Sequence, residues 1–179
     1  LRILDVGGVP WSSFCSDLTH CEVTYLNVVD SEKIAPRLKP NQRYIQADAR
    51  DIPIASSQFD LVFSNSVIEH VGDFESQMQV ANEVRRVGNA YWIQTPYKHF
   101  PIEPHYNFPL CQYFPRSMQH WVYKSWRYSW YKKYSLPYEE IFLLDKRQMQ
   151  QLFPDAQFYY ERVGFLTKSI TAIKRFGDY

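Results

Sequence analysis

Two histidine–carboxylate groupings stand out in the sequence, Glu69-His70 and Pro101-Ile102-Glu103-Pro104-His105. Imidazole titrates near neutrality, so either histidine could accept a proton from a hydroxyl, and an adjacent carboxylate could fix its tautomer. His105, with Glu103 as its orienting partner, is the first candidate for work on an acceptor molecule, and His70 the second. The competing readings are structural: Glu103 and His105 could pin a proline-rich loop, and His70 could orient a bound ligand. His99 and His120 read as solvated.

A second set of residues has the chemistry to hold a ligand. Gly7-Gly8 follows the apolar run Leu1 to Val6 and removes side chains where a backbone must approach a ligand, and Asp5 could fix that loop by accepting amide hydrogens. Asn27 and Asp30 end the next Val/Tyr/Leu-rich run and could bind vicinal hydroxyls, or could terminate the strand and cap a helix. Asp48, in Ala47-Asp48-Ala49, could accept from an exocyclic amine or make a local Asx turn. Ser64-Asn65-Ser66 closes the clearest strand pattern, Phe59 to Ser64.

These residues need elements that bring them together. Strand-like runs at Leu1–Val6, Glu22–Val29, Arg43–Gln46, Phe59–Ser64 and Ala90–Thr95 alternate with a short helix over Ser31–Leu38, with Ser31 as its cap, and a longer one from Asp73 to Gly88. Asp73 is placed to cap the longer helix and Gly88 to end it. Such alternation predicts a mostly parallel sheet covered by helices, with ligands outside the carboxyl ends of the strands. A helix capped by Asp145 follows. Gln157–Arg162 and Leu166–Ile173, separated by Gly164, predict a hairpin that leaves the last strand antiparallel.

The whole 179 residues read as one domain, with residues 100–144 as an insertion covering the site. Met118, Trp121, Val122, Ser125 and Trp126 recur there at helical spacing. Gln112 to Tyr134 carries five Lys and Arg, no acid and many aromatics. That surface would suit a phosphorylated sugar, a lipid-linked glycan at a membrane face or, last, single-stranded nucleic acid, unless its aromatics pack on the sheet.

Composition narrows the class. Hydrophobic residues at 45% and charged residues at 22% are globular values that exclude disorder, and a formal charge of +1 lacks the basic excess of a nucleic-acid binder. Three cysteines, an odd number without ligand spacing, suggest neither a disulfide framework nor a metal site, so a cytoplasmic setting is expected. The sequence opens on Leu1 inside a strand pattern, as a fragment would.

Taken together, LDVGG (Leu4–Gly8), Asn27/Asp30, ADA (Ala47–Ala49), FDLVFSNSVIEHV (Phe59–Val71) and WIQTP (Trp92–Pro96) closely resemble the class I S-adenosylmethionine-dependent methyltransferases. The likeness is to a type 11-like bacterial subgroup carrying Thr95-Pro96 and Phe100 to His105. It implies a Rossmann-like α/β fold with an antiparallel last strand, S-adenosylmethionine as cofactor, no metal, and an aromatic-rich insertion after strand five. By that resemblance Asp5, Gly7 and Gly8 hold the methionine end and Asn27 or Asp30 the ribose. Asp48 and the Ala49 amide take adenine, and Ser64, Asn65 and Ser66 line cofactor and acceptor. The chain departs from the family at Val9, where a further glycine is usual, and lacks the helices that precede strand one. Methyl transfer to a small or glycan-type acceptor at oxygen is therefore expected. The alternative is a cofactor-binding but inactive module whose basic aromatic insertion binds a partner or peripheral membrane surface. A nicotinamide oxidoreductase is disfavoured because G-x-G-x-x-G is absent.

Overall fold

The protein is represented by a computed structural model that describes residues 1–103, 105, 107–126 and 140–177. Nine strands and four α-helices are described: β1 (Arg2–Val6), β2 (Glu22–Asn27), α1 (Ser31–Ile34), β3 (Gln42–Gln46), β4 (Phe59–Asn65), α2 (Phe74–Val87), β5 (Gly88–Pro96), β6 (Ile102–Glu103), β7 (Phe108–Pro109), α3 (Arg116–Ser125), α4 (Lys146–Leu152), β8 (Gln157–Val163) and β9 (Leu166–Lys174). Seven strands form one sheet in the order β3-β2-β1-β4-β5-β9-β8. The first five pair in parallel, and β9 runs antiparallel to both β5 and β8.

The central strands are apolar on both faces, as a covered parallel sheet requires. Leu4, Val6, Leu26, Val62, Tyr91 and Ile93 face a core closed by Val80 and Val84 of α2 and by Met149 and Leu152 of α4. Ile3, Val23 and Tyr25 face the opposite side, where Cys15 of the loop after β1 covers them. Asp73 caps α2 by accepting from the Ser76 amide, and Asp145 with Gln148 forms a full capping box on α4. No helix among the described residues is long and apolar enough to cross a membrane.

Local details differ from the sequence expectation for identifiable reasons. Asp30 rather than Ser31 caps α1, because the extended backbone at Asp30 lets its carboxylate reach the Glu32 amide. Gly88 ends α2 as expected, its amide donating to the Val84 carbonyl, but it also opens β5 with extended angles, and a Cβ there would press on Val62 of the neighbouring strand. Residues 102–126 contain a short β6–β7 hairpin and α3, which enclose a small core of Cys111 and Val122 with Phe108, Phe114 and Trp126 around it. On α3 only Val122 is buried, whereas Trp121 is 63% and Met118 46% exposed. Trp126 packs on Phe108. The rest of the basic aromatic stretch, 127–134, lies outside the described residues.

Candidate functional site

The carboxyl ends of β1 to β4 converge on one cavity of about 510 Å³, walled by Gly7, Asn27, Asp48, Ala49, Ser66 and His70 among others. A smaller recess of about 100 Å³ adjoins it at the β1 end and is bounded by Asp5, Gly7, Gly8, Ser13 and Asn65. Both sit where the strand order reverses about β1, the crevice in which open α/β sheets take ligands.

At β1 the sequence dictates a loop without side chains. Gly7 has a φ of +79°, and a Cβ on it would collide with Val67; a Cβ on Gly8 would collide with the Asp5 carboxylate. The Gly7 amide donates to the Leu26 carbonyl (2.7 Å), and Asn27 Nδ2 donates to the Gly7 carbonyl (2.8 Å), so β2 fixes the loop from both sides. Asp5 accepts from the Ser13 hydroxyl. Burial pushes its carboxyl up to about 6 against the downward pull of hydrogen bonds from Ser13 and Cys15.

At β2 the structure separates the two expected ribose residues. Asn27 is on the cavity wall, and Asp30 is not among the lining residues, its carboxylate being occupied by α1. At β3, Asp48 is on the wall but its two oxygens grip Arg50, with Nη2 to Oδ2 at 2.6 Å and Nε to Oδ1 at 3.0 Å. These hydrogen bonds hold the Asp48 carboxyl below the usual range.

After β4 the chain turns sharply. Ser66 adopts a φ of +56°, its amide donates to the Gln94 carbonyl (3.0 Å) and its hydroxyl to Gln94 Oε1 (2.9 Å). Ser64 is a correction: it is buried and donates to the Val6 carbonyl (3.1 Å), joining β1 to β4 instead of lining the cavity. Residues 68–70 form a 3₁₀ turn anchored by Gln77, whose Nε2 donates to the carbonyls of Ile68 (3.1 Å) and Phe142 (2.8 Å).

That turn carries Glu69 and His70 to the far end of the cavity, where the segment after β5 brings Glu103 and His105 against them. His105 Nδ1 lies 2.6 Å from Glu103 Oε1, and its Nε2 lies 3.1 Å from His70 Nε2 and 3.9 Å from Glu69 Oε1. The two rings meet nearly at right angles. Glu69 is fully buried; its Oε2 accepts from Thr95 Oγ1 (2.9 Å), and its Oε1 has no hydrogen-bond partner among the described residues. Burial pushes the Glu69 carboxyl up to about 7, against the opposing pull of His105. The sequence offered Glu69 only as the neighbour of His70 and passed over Thr95, because nothing local marks a glutamate whose partners lie 26 and 36 residues away. A charged residue inside a strand-to-turn apolar run was the available signal. His99, read as solvated, has a partner: Nδ1 meets the Tyr113 hydroxyl at 2.5 Å.

Residues 4–90 match the methyltransferase domain family. The chain is 35% identical over 98 residues to malonyl-[acyl-carrier protein] O-methyltransferase of Enterobacter lignolyticus, covering 52% of this chain and 38% of that protein. The curated relatives it matches are thus spanned over well under half their length. Among solved structures, the PH0226 protein of Pyrococcus horikoshii superposes with a TM-score of 0.60 at 16% identity, over 96% of this chain and 80% of that one. A SAM-dependent methyltransferase of Methanosarcina mazei gives 0.57 at 12%, over 96% and 90%.

Proposed function

We propose that this chain, whose residues 4–90 match the methyltransferase domain family, is a class I S-adenosylmethionine-dependent methyltransferase that transfers a methyl group from S-adenosylmethionine to a hydroxyl of a small or glycan-type acceptor. The observation that carries the reading is a cavity, walled by the ends of four consecutive parallel strands, that leads from a side-chain-free glycine loop to His70, against which His105 packs.

The residues fit the cofactor. Gly7 and Gly8 leave a cradle that any Cβ would fill, and Asp5 offers a carboxylate for an ammonium group beside it. Asn27 holds the cradle through its amide and presents the strand-two wall to the ribose, a role we assign to it over Asp30. Asp48 and Ala49 border the adenine end, where Arg50 must yield one Asp48 oxygen to an exocyclic amine. Asn65 and Ser66 line the middle. When bound, the cofactor supplies an electrophilic methyl group on a sulfonium sulfur.

The chain's own task is then to align the acceptor and ease loss of its hydroxyl proton. His70 is the wall residue at that end, and Glu103 fixes the His105 ring so that Nε2 points toward His70. Three unpaired cysteines suit the reducing cytoplasm in which we place the enzyme. Calorimetry with S-adenosylhomocysteine tests the cofactor, and a methyl-transfer screen over sugars and phosphorylated glycans tests the acceptor. We expect His105→Ala to lower turnover about 10²-fold or more with cofactor affinity nearly intact. Absence of S-adenosylhomocysteine binding would overturn the reading.

A second reading is favoured by one feature, the exposure of Trp121 and Tyr113 on the insertion near Arg116. It makes the chain a cofactor-binding module that docks a partner or membrane surface without turnover. Cofactor binding with no transfer to any acceptor, together with sedimentation on anionic vesicles that Trp121→Ala abolishes, is the outcome that would select it.

A further inference from the structure

We propose that Glu69, His70 and His105 bind a divalent first-row transition metal ion of the zinc class at the acceptor end of the cavity. One potential ligand atom from each lies within 4.8 Å of the other two. A zinc ion with bonds of about 2.0–2.1 Å holds neighbouring nitrogens roughly 3.3 Å apart in a tetrahedral site. The His70 and His105 nitrogens already stand at 3.1 Å, and Glu69 Oε1, at 3.9 Å from His105, needs only a small inward movement.

The reading without a cation accounts for less. A proton shared between the two imidazoles would satisfy their facing nitrogens, yet it leaves Glu69 Oε1, in a fully buried side chain, with no hydrogen-bond partner and only the His105 ring at 3.9 Å to meet it. Such an oxygen is costly unless a charge or a donor meets it. A cation between the three atoms uses all of them at once. The outer contacts are also those of a metal site: Glu103 takes the far nitrogen of His105 at 2.6 Å, and Thr95 donates to the second oxygen of Glu69. Two imidazoles select a transition metal over magnesium or calcium, and three protein ligands leave a further position for an oxygen donor. His70 forms part of the cavity wall, so that position borders the proposed acceptor space.

Binding of the ion stands on geometry alone. Its use, to acidify the acceptor hydroxyl, rests on the methyltransferase reading. The test uses the full chain, stripped with a chelator and titrated with Zn²⁺ by calorimetry and with Co²⁺ by visible absorption. We expect a single equivalent to bind, with loss of affinity of about 10²-fold or more in Glu69→Gln and His105→Ala and about 10-fold or more in Glu103→Gln. In the unmutated chain, Zn²⁺ should shift the imidazole NMR resonances of His70 and His105 and leave those of His20, His99 and His120 in place. That readout does not depend on whether a variant folds. No binding in the micromolar range, or binding that leaves the His70 and His105 resonances unmoved, would overturn the proposal. S-adenosylhomocysteine affinity measured on the stripped protein reports on the methyltransferase reading separately, so either can fail alone.

Discussion

Asp5 carries the clearest pH signature of any single residue on the β1 loop. Its carboxyl is pushed up to about 6 chiefly by burial, against an unfolded value near 4. The folded protein therefore holds the proton to higher pH than the unfolded chain does. The associated stability is fully present below about pH 4 and is lost as pH rises through about 6, a change of about 3 kcal/mol. Urea denaturation should accordingly find Asp5→Asn more stable than the parent at pH 8 and close to it at pH 4. A bound ammonium would favour the ionised form, so S-adenosylhomocysteine affinity should fall as pH drops below 6 in the parent and stay flat in Asp5→Asn. Two residues along, Gly7→Val meets Val67 and forces a branched side chain to a φ of +79°, costing about 1–2 kcal/mol for the backbone alone. We expect it to weaken S-adenosylhomocysteine binding while circular dichroism still reports the fold, and Val67→Ala to recover only the steric part. Asp48→Ala should weaken the same binding by about 0.5–1.5 kcal/mol, less what freeing Arg50 returns.

The 3₁₀ turn after β4 is held as an element from outside itself. Gln77 of α2 bridges the Ile68 and Phe142 carbonyls, and the Phe142 amide returns to the Glu69 carbonyl at 2.9 Å. Replacing Gln77 by Leu strands two buried carbonyls, which should lower stability by about 1–3 kcal/mol in chemical denaturation and broaden the His70 resonances. The turn also marks the border of what a sequence discloses. Strands β1, β4 and β5, helix α2 with Asp73 and helix α4 with Asp145 were legible because their signals are local: an apolar run, a cap, a period of three and four. The cavity wall at Gly7, Asn27 and Asp48 followed from the rule that ligands gather at strand ends. What was not legible depended on pairing across the sheet. Ser64 looks like a site residue until Val6 is found beside it, and Glu69 becomes informative only once Thr95 and His105 are placed around it. Gly88 was legible as the stop of α2, but its second role, leaving room for Val62 at the start of β5, was not.

At the scale of the whole molecule, two bodies of unequal cohesion meet at the site. The sheet is buried on both faces along its centre, whereas the described residues of 102–126 include only Cys111 and Val122 as fully buried apolar side chains. Amide exchange should therefore be faster from 102 to 125 than in β1, β4 and β5, and acceptor binding should slow it. Core-like protection there in the free protein would argue that the insertion does not open. The order of the strands has a kinetic meaning as well. β9 lies between β5 and β8, so the outer edge of β5 has no permanent neighbour until a strand some 70 positions later has been made. During synthesis the half with five strands and two α-helices, which already holds the glycine loop and the β4 turn, would wait with Tyr91, Ile93 and Thr95 on an open, aggregation-prone edge. The hairpin through Gly164 shortens that wait, since β8 and β9 can pair with each other first and dock as a unit. The same hairpin that completes the sheet makes Thr95, and with it the seat of Glu69, among the last parts of the site to be secured.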